Sequence, residues 1–225
     1  AEVDAVIDQS DGAGYEDALI LQDFSPGDDS FMRVVTNYAG ADGKVRLMCV
    51  GHVLLEEHTG HAIGNHAVII TEPEPELCEK LRGFLEAIGF VGFSNFDIKY
   101  DQRDGKFKAF EINCRQGRSN YYVTGAGYNL AKWLVDDVIY HKDMPCTVAT
   151  NKVLWTIIPE KIIFQYVKSE SAKAEARALI KAGKVCHSYY YEGDRSLKRW
   201  VHYKKNQFHY FEKYKRYFGN KGLRD

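Results

Sequence analysis

Runs of β-branched, aliphatic and aromatic residues alternate with polar turns along the first half of the chain. Residues 31–39 and 44–55 are two such runs, and the turn "GADG" between them predicts an antiparallel hairpin. The same pattern predicts further strands, separated by turns or by helices. These strands are expected at residues 18–24, 66–71, 92–101 and 106–114.

A helix is predicted over residues 73–89, where apolar positions recur at helical spacing and form one stripe. Acidic residues in its first turn and Gly89 at its end favour the same interpretation. We expect a second helix at about residues 119–140 and a serine-capped third helix at 169–183. A mostly antiparallel sheet with helices on one side is an α+β fold.

Composition excludes several classes of protein. No run approaches the ~18 apolar residues of a membrane span. The five cysteines are scattered and odd in number, which argues against a disulfide framework and favours a cytoplasmic protein. The net charge of −1 hides an asymmetry: residues 1–150 hold 13 basic and 24 acidic side chains, whereas residues 151–225 hold 17 and 7. A basic C-terminal part therefore follows an acidic body.

Two acidic side chains face each other in the hairpin predicted at residues 92–114. A turn centred on Arg103 and Asp104 places Asp97 almost directly across from Glu111, and Asn113 shares the face of Glu111. Facing carboxylates lie ~5 Å apart and destabilise a sheet. A hard divalent cation offsets that repulsion, and the oxygen ligands of Asp97, Glu111 and Asn113 suit Mg²⁺ or Mn²⁺ rather than zinc.

Two arginines follow the same strand. Arg115 and Arg118 stay charged and bind planar oxyanions in a bidentate way, so they are candidates for holding phosphoryl or carboxylate oxygens. The alternative is a structural ion-pair network, in which Asp97 and Glu111 are balanced by Lys99 and the arginines.

The stretch "FDIKYDQRDGKFKAFEINCRQGRSN" resembles the metal-binding end of the ATP-grasp superfamily, in which an acid on one strand is followed by E-x-N on the next. Its E-x-N-x-R-x-x-R-S element is similar to the carbamoyl-phosphate synthase large subunit. Residues 18–140 more closely resemble ATP-grasp carboxylate–amine ligases of the D-aspartate ligase type. Within that family pattern, "LILQDFSPGDD" corresponds to the hinge strand beside the adenine.

The resemblance implies a role for particular residues. Asp97, Glu111 and Asn113 would bind the metal ions. Arg115 and Arg118 would bind the transferred phosphoryl group and the acyl phosphate. Adenine would contact the hinge backbone at Asp23 and Phe24, and the ribose would contact Asp29, with Asp28 as the alternative. His52 lies on a strand that lines the nucleotide in related enzymes.

The resemblance also implies a division of the chain. Residues 1–27 would be the tail of an upstream nucleotide-binding subdomain with the hinge strand. Residues 28–148 would be the metal- and phosphate-binding subdomain, and residues 149–225 a basic, aromatic-rich α/β extension. Because phosphate-binding lysines of the family lie in the upstream subdomain, we expect this chain to be a portion of a longer protein or a separate subunit, and to be inactive alone.

Three other features of the sequence have more than one interpretation. His58, His61 and His66 lie in a loop that could bind zinc, border the phosphates or form plain surface. Cys114 is interpreted as a core residue rather than a nucleophile, and Ser119 as a helix cap. The tail at residues 195–225 is predicted to contain an amphipathic helix that docks on the acidic body, the alternatives being an oligomer contact, nucleic acid or an anionic membrane.

The sequence thus predicts the C-terminal part of an ATP- and Mg²⁺-dependent (or Mn²⁺-dependent) ligase that forms a C–N bond through an acyl phosphate. Its expected partners are ATP, a small carboxylate and amine pair, and the upstream half of the ATP-grasp fold. Nucleic acid is not expected. The alternative is a metal-free binding module that uses its basic aromatic tail for nucleic acid or a protein partner.

Overall fold

The computed structural model describes residues 2–12, 14, 22–59, 61–190 and 193–218. The strands are β1 (Met32–Ala39), β2 (Val45–Glu56), β3 (His66–Thr71), β4 (Gly92–Asp101), β5 (Lys106–Asn113), β6 (Thr147–Val148), β7 (Leu154–Thr156) and β8 (Val185–His187). The α-helices are α1 (Glu2–Gly12), α2 (Pro75–Ala87), α3 (Tyr121–Gly125), α4 (Leu130–Val138), α5 (Glu160–Tyr166), α6 (Glu170–Lys181) and α7 (Leu197–Tyr217). A short 3₁₀ helix (Asp29–Phe31) precedes β1.

The strands form one sheet in the order β5-β4-β1-β2-β3-β7-β8, with β6 paired to β2. All pairings are antiparallel except β2 with β6 and β7 with β8. The predicted α+β class and mostly antiparallel sheet are therefore confirmed. The hairpin of β1 and β2 forms as its turn predicted.

Successive side chains of β1 and β2 point to opposite faces of the sheet, and each face packs in its own hydrophobic core. Val34 and Tyr38 belong to the larger core, and Val35 and Ala39, which point to the opposite face, belong to the smaller one. Helix α2 covers the smaller core with Leu77, Leu81 and Leu85 of its predicted apolar stripe, whereas Phe84 and Ile88 are exposed. Gly89 follows the helix with φ of 63°. Helices α3 to α7 pack into the larger core. The helices were expected on one side of the sheet. This is confirmed for α3 to α7, whereas α2 lies on the other face.

The predicted helix at 119–140 is wrong in its extent, because the chain forms two short helices there, α3 and α4. Gly127 between them has φ of 98°, a left-handed conformation that a continuous helix cannot contain. Helix α1 was not predicted. Of the predicted strand at 18–24, residues 18–21 lie outside the described residues, and residues 22–24 are irregular.

The C-terminal part of the chain joins the same sheet and the same core. Strand β7 pairs with β3, and Tyr210 and Tyr214 of α7 are buried in the larger core. The predicted docking of an amphipathic helix is confirmed. The domain boundaries at residues 27 and 148 stay a prediction. Among the described helices, none has the length and apolar character to cross a membrane.

Candidate functional site

A cleft of about 280 Å³ lies where β4 and β5 meet the segments 63–66 and 115–119. Five residues predicted for the site line it together: Asp97, Glu111, Asn113, Arg115 and Arg118. Strand β4 supplies the first, β5 the next two, and the chain just beyond β5 the two arginines. Alternation and hairpin register are therefore sufficient to bring both acids to the mouth of one cleft.

The central pair is Asp97 opposite Glu111, as the sequence predicted. Directly after this pair the register shifts, so that Ile98 faces Ala109. Burial, together with the neighbouring Glu111 carboxylate, raises the pKa of Asp97 to about 6, and Arg115 partly opposes the rise. The two carboxylates therefore repel each other in a partly buried place.

Asn113 links the acids to the first arginine. Its Nδ2 donates to Asp97 Oδ2 at 3.3 Å, and its Oδ1 accepts from Arg115 Nη2 at 3.0 Å. Among the described residues, no group of three or more His, Cys, Asp or Glu side chains is placed to hold a metal ion. Two repelling carboxylates nevertheless suit Mg²⁺, which binds few protein oxygens and completes its shell with water and phosphate. Asn113 would join such a shell by turning its Oδ1 from Arg115 towards the acids.

The second arginine has a partner that the sequence did not indicate. Arg118 Nη2 forms an ion pair with Glu57, a carboxylate that is 7% exposed and lies at the end of β2. The backbone N–H of Glu57 in turn donates to Asn65 O at 2.9 Å, which fixes the loop. Arg118 is thus held at the cleft by a buried acid 61 residues away in the chain.

Comparison with known proteins gives one extensive match. Over 222 residues the chain is 42% identical to "D-aspartate ligase" of Enterococcus faecium (strain Aus0004). The chain is similar to D-aspartate ligase over nearly its whole length. The match covers 96% of this chain and 53% of the relative, so the chain spans about half the length of the curated relative it matches. The predicted resemblance to D-aspartate ligase is confirmed.

Solved structures show partial similarity at low identity. The biotin carboxylase domain of Hydrogenobacter thermophilus 2-oxoglutarate carboxylase aligns with 52% of this chain and 26% of its own, at 15% identity and a TM-score of 0.39. L-amino acid ligase from Bacillus licheniformis aligns with 48% of this chain and 29% of its own, at 14% identity and a TM-score of 0.34. A putative ATP-grasp superfamily protein from Archaeoglobus fulgidus aligns with 56% of this chain and 38% of its own, at 16% identity and a TM-score of 0.35. No family model matches the chain.

The segment that carries the arginines is held to the sheet by Asn95, which lines the same cleft. Asn95 Nδ2 donates to Arg115 O at 2.5 Å, and Asn95 Oδ1 accepts from Thr36 Oγ1 at 2.7 Å. The buried hydroxyl of Tyr122 donates to Thr36 Oγ1 at 2.9 Å. Sequence reasoning missed this support, although Asn95 shares a strand face with Asp97 and was for that reason a detectable candidate.

A second pocket, of about 430 Å³, contains three of the residues predicted to contact adenine or ribose, Phe24, Asp28 and Asp29. Lys99, which shares a face of β4 with Asp97, lines this pocket together with Phe24 and Asp29. Asp29 is buried, and its Oδ2 accepts from the backbone N–H of Glu56 at 3.0 Å and lies 2.8 Å from His58 Nε2. The ribose role of Asp29 stays a prediction, and its oxygens already have protein partners.

Its neighbour Asp28, the alternative ribose contact, caps the 3₁₀ helix. Asp28 Oδ1 accepts from Ser30 N at 3.1 Å, and Asp28 Oδ2 lies 3.3 Å from Lys168 Nζ. These hydrogen bonds lower the pKa of Asp28 against the opposing effect of burial.

Asp23 and Phe24 belong to an irregular, exposed segment. Asp23 Oδ2 accepts from Arg103 Nη2 at 2.9 Å, and the ring of Phe24 lies 5.4 Å from Lys99 Nζ. Phe24 borders the second pocket and Asp23 does not line it. Backbone contacts to adenine at these positions stay a prediction.

The structure does not bring His52 to the cleft. Arg33 pairs with His52 and Ile98, whereas Val34 pairs with Gly51 and Asp97, so His52 points to the face opposite Asp97. There its Nε2 lies 2.8 Å from Ser30 O and its Nδ1 lies 3.4 Å from Glu72. Burial lowers its pKa, with a contribution from Arg33.

Two minor interpretations need correction. Cys114 is exposed rather than part of a core, because it follows an edge strand whose outer face is open to solvent. Ser119 does not cap a helix: α3 begins after Asn120, which makes no side-chain cap.

His66 is buried beside the cleft, and its Nε2 lies 3.8 Å from Asp97 Oδ1. Burial lowers the pKa of His66 to about 4, so its imidazole is neutral at neutral pH.

The end of α7 contacts residues 56 and 58, a contact that the sequence did not reveal. Tyr214 Oη donates to Glu56 O at 2.8 Å, and the ring of Phe218 stacks on His58 at a centroid distance of 4.8 Å. Glu57 and His58 of that loop hold Arg118 and Asp29. The C-terminal helix therefore supports the partners of two predicted ligand-binding residues.

Proposed function

We propose that this chain is the metal- and phosphate-binding part of an ATP-dependent carboxylate–amine ligase. The observation that carries the proposal is the cleft in which Asp97, Glu111, Asn113, Arg115 and Arg118 meet. Homology to D-aspartate ligase supports the reaction class, in which a carboxylate is activated as an acyl phosphate and an amine then displaces phosphate. Its nucleotide is ATP, and the second pocket is the proposed place of adenine and ribose.

The residues of the cleft have different proposed roles. Asp97, Glu111 and Asn113 hold Mg²⁺, or Mn²⁺ in its place, and the cation would neutralise phosphate oxygens. Arg115 lies at the exposed rim, where its guanidinium can bind a phosphoryl or carboxylate oxygen in a planar, bidentate geometry. Arg118, which Glu57 holds in place, carries a second charge for the developing oxyanion.

The proposal includes three further predictions that nothing in the fold tests. An upstream half of the ATP-grasp fold supplies the remaining phosphate contacts, so this chain alone is inactive as a ligase. The carbamoyl-phosphate synthase-like character of the motif and a cytoplasmic location belong to the same proposal. The metal-free nucleic-acid-binding alternative receives no support from α7, since Tyr210 and Tyr214 are buried against the sheet.

The test is calorimetric titration of the chain with ADP, with Mg²⁺ and with EDTA. We expect ADP to bind with Mg²⁺ and at least tenfold more weakly in EDTA or in the Glu111→Gln variant. Glu79→Gln is the matched control, because Glu79 is exposed on α2 on the other face of the sheet. Equal ADP binding by wild type and Glu111→Gln would contradict the proposed role of the cleft.

A further inference from the structure

A third cavity, of about 520 Å³, lies between the first half of α7 and the segment that follows β8. Its volume falls in the range of pockets that hold one small ligand. The segment supplies Tyr189, Tyr190 and Asp194, and the helix supplies the facing wall. None of its lining residues belongs to the cleft or the second pocket, so the proposed function leaves this cavity unexplained.

Aromatic rings form most of the wall. Trp200 and Tyr203 of α7 face Tyr189 and Tyr190, and the ring centroids of Tyr190 and Tyr203 are 6.0 Å apart. Trp200, Tyr189 and Tyr190 are each about half exposed, at 50%, 54% and 51%. Half-exposed rings around a concave space offer stacking surfaces to a planar ligand, and stacking is favourable for any flat π-system.

The segment and the helix are fixed relative to each other. Asp194 Oδ1 accepts from the backbone N–H of Ser196 at 3.0 Å, and Ser196 Oγ caps α7. Asp194 Oδ2 lies 2.7 Å from Arg199 Nε. At the start of the segment, Trp155 Nε1 donates to Ser188 Oγ at 2.8 Å. Ser188 is therefore held to β7, and Asp194 to the start of α7.

The described residues of the cavity wall include two basic side chains and one acidic side chain. Asp194 is the acid among its described lining residues, and Arg199 balances it. Lys213 remains at the other end, where its Nζ lies 5.1 Å from the centre of the Tyr210 ring. Two imidazoles, His202 and His209, add hydrogen-bonding groups between the ends. Lys213 beside stacking rings and imidazole groups can bind an anion that carries a flat ring.

We propose that this cavity binds a planar aromatic anion of the size of a nucleoside monophosphate. The ring stacks among Trp200, Tyr190 and Tyr203, and the anionic group lies at Lys213. The cavity is separate from the cleft, and Tyr210 lines both the cavity and a small pocket that contains Glu57, the partner of Arg118. The claim depends on these walls and is independent of the proposed ligase activity.

The test is calorimetric titration of the full chain with AMP and, separately, UMP in EDTA, which removes any cation-dependent binding in the cleft. We expect saturable binding of at least one of the two at a 1:1 ratio, and at least tenfold weaker binding of the corresponding nucleoside and of inorganic phosphate. Trp200→Ala and Lys213→Gln should each weaken binding at least tenfold. These side chains lie at the surface of α7, so both variants should fold, as circular dichroism would confirm.

Two control variants locate the site. Phe208→Ala changes a ring on α7 that is 77% exposed and does not line the cavity, and Glu111→Gln changes the cleft. Both should bind as wild type does. The inference is overturned if neither nucleotide saturates at millimolar concentration, or if Trp200→Ala and Lys213→Gln bind normally. It is also overturned if a single-stranded oligonucleotide binds more tightly than either mononucleotide with a steep salt dependence, since that behaviour belongs to a nucleic-acid surface.

Discussion

Replacing Asp97 with asparagine is expected to stabilise the metal-free protein at neutral pH. Burial and the Glu111 carboxylate raise the pKa of Asp97 from 3.8 to about 6, so its ionised form is less stable in the folded protein than in the unfolded chain. Since a pKa difference of one corresponds to about 1.4 kcal/mol, the ionised carboxylate costs about 3 kcal/mol at most. Asparagine keeps an oxygen that accepts from Asn113 and carries no charge.

The pH dependence has a definite sign. Between about pH 4 and pH 6 the folded protein binds more protons at Asp97 than the unfolded chain does, so stability falls as pH rises through that interval. The contribution is fully present below pH 4 and is lost above pH 6. In Asp97→Asn this fall disappears, and the variant should exceed wild type by about 1–3 kcal/mol at pH 7.5, because partial exposure weakens the effect.

The assay is urea denaturation in EDTA at several pH values, with the variant and wild type compared at each. Asp104→Asn, in the turn of the same hairpin, is the control: its pKa is lowered by Lys108, so this substitution should not stabilise the protein. The reasoning is refuted if Asp97→Asn is less stable than wild type at pH 7.5. It is equally refuted if the difference between the two proteins does not change between pH 4.5 and pH 7.

Other substitutions test the supporting structure, each by urea denaturation. Tyr214→Phe removes the hydrogen bond to Glu56 O and should lower the free energy of unfolding by about 1–2 kcal/mol. Tyr217→Phe at the helix end should lower it less, and equal effects would contradict the stabilising role of the Tyr214 hydrogen bond. Gly83→Ala should stabilise by about 0.5–1 kcal/mol, since an added Cβ meets nothing within 4 Å in α2. Gly51→Ala should destabilise by about 1–3 kcal/mol, because the Cβ would lie 2.6 Å from a side chain of β3; a neutral result would contradict the tight packing there.

The centre of the site was predictable because its geometry is local. Asp97 and Glu111 lie on adjacent strands joined by a short turn, so the alternation of side chains and the turn position determine their pairing. The prediction for His52 came from the family resemblance instead, and the register of β2 with β1 places this residue on the face opposite Asp97. The break at Gly127 was detectable, since "GAG" interrupts the helical pattern there.

Long-range partners were beyond the reach of the sequence pattern. Glu57 and Arg118 are 61 residues apart, and Tyr214 and Glu56 are 158 apart. Each pair depends on how loops and a docked helix approach one another, and no periodicity along the chain records that approach. The cavity at α7 was hidden for the same reason: its aromatic residues suggested either docking or binding, and α7 does the first with Tyr210 and Tyr214 while Trp200 stays half exposed.

The most direct test of the central claim is to locate a divalent cation on the protein. Mn²⁺ broadens the NMR signals of nearby amides, so ¹⁵N-labelled protein with ADP would be titrated with substoichiometric Mn²⁺, beside Glu111→Gln. The account predicts selective broadening at residues 95–97 and 111–118 that competes with Mg²⁺ and disappears in the variant. Broadening centred on the histidines of the 58–66 loop, or unchanged in Glu111→Gln, would contradict a cation site built on Asp97 and Glu111.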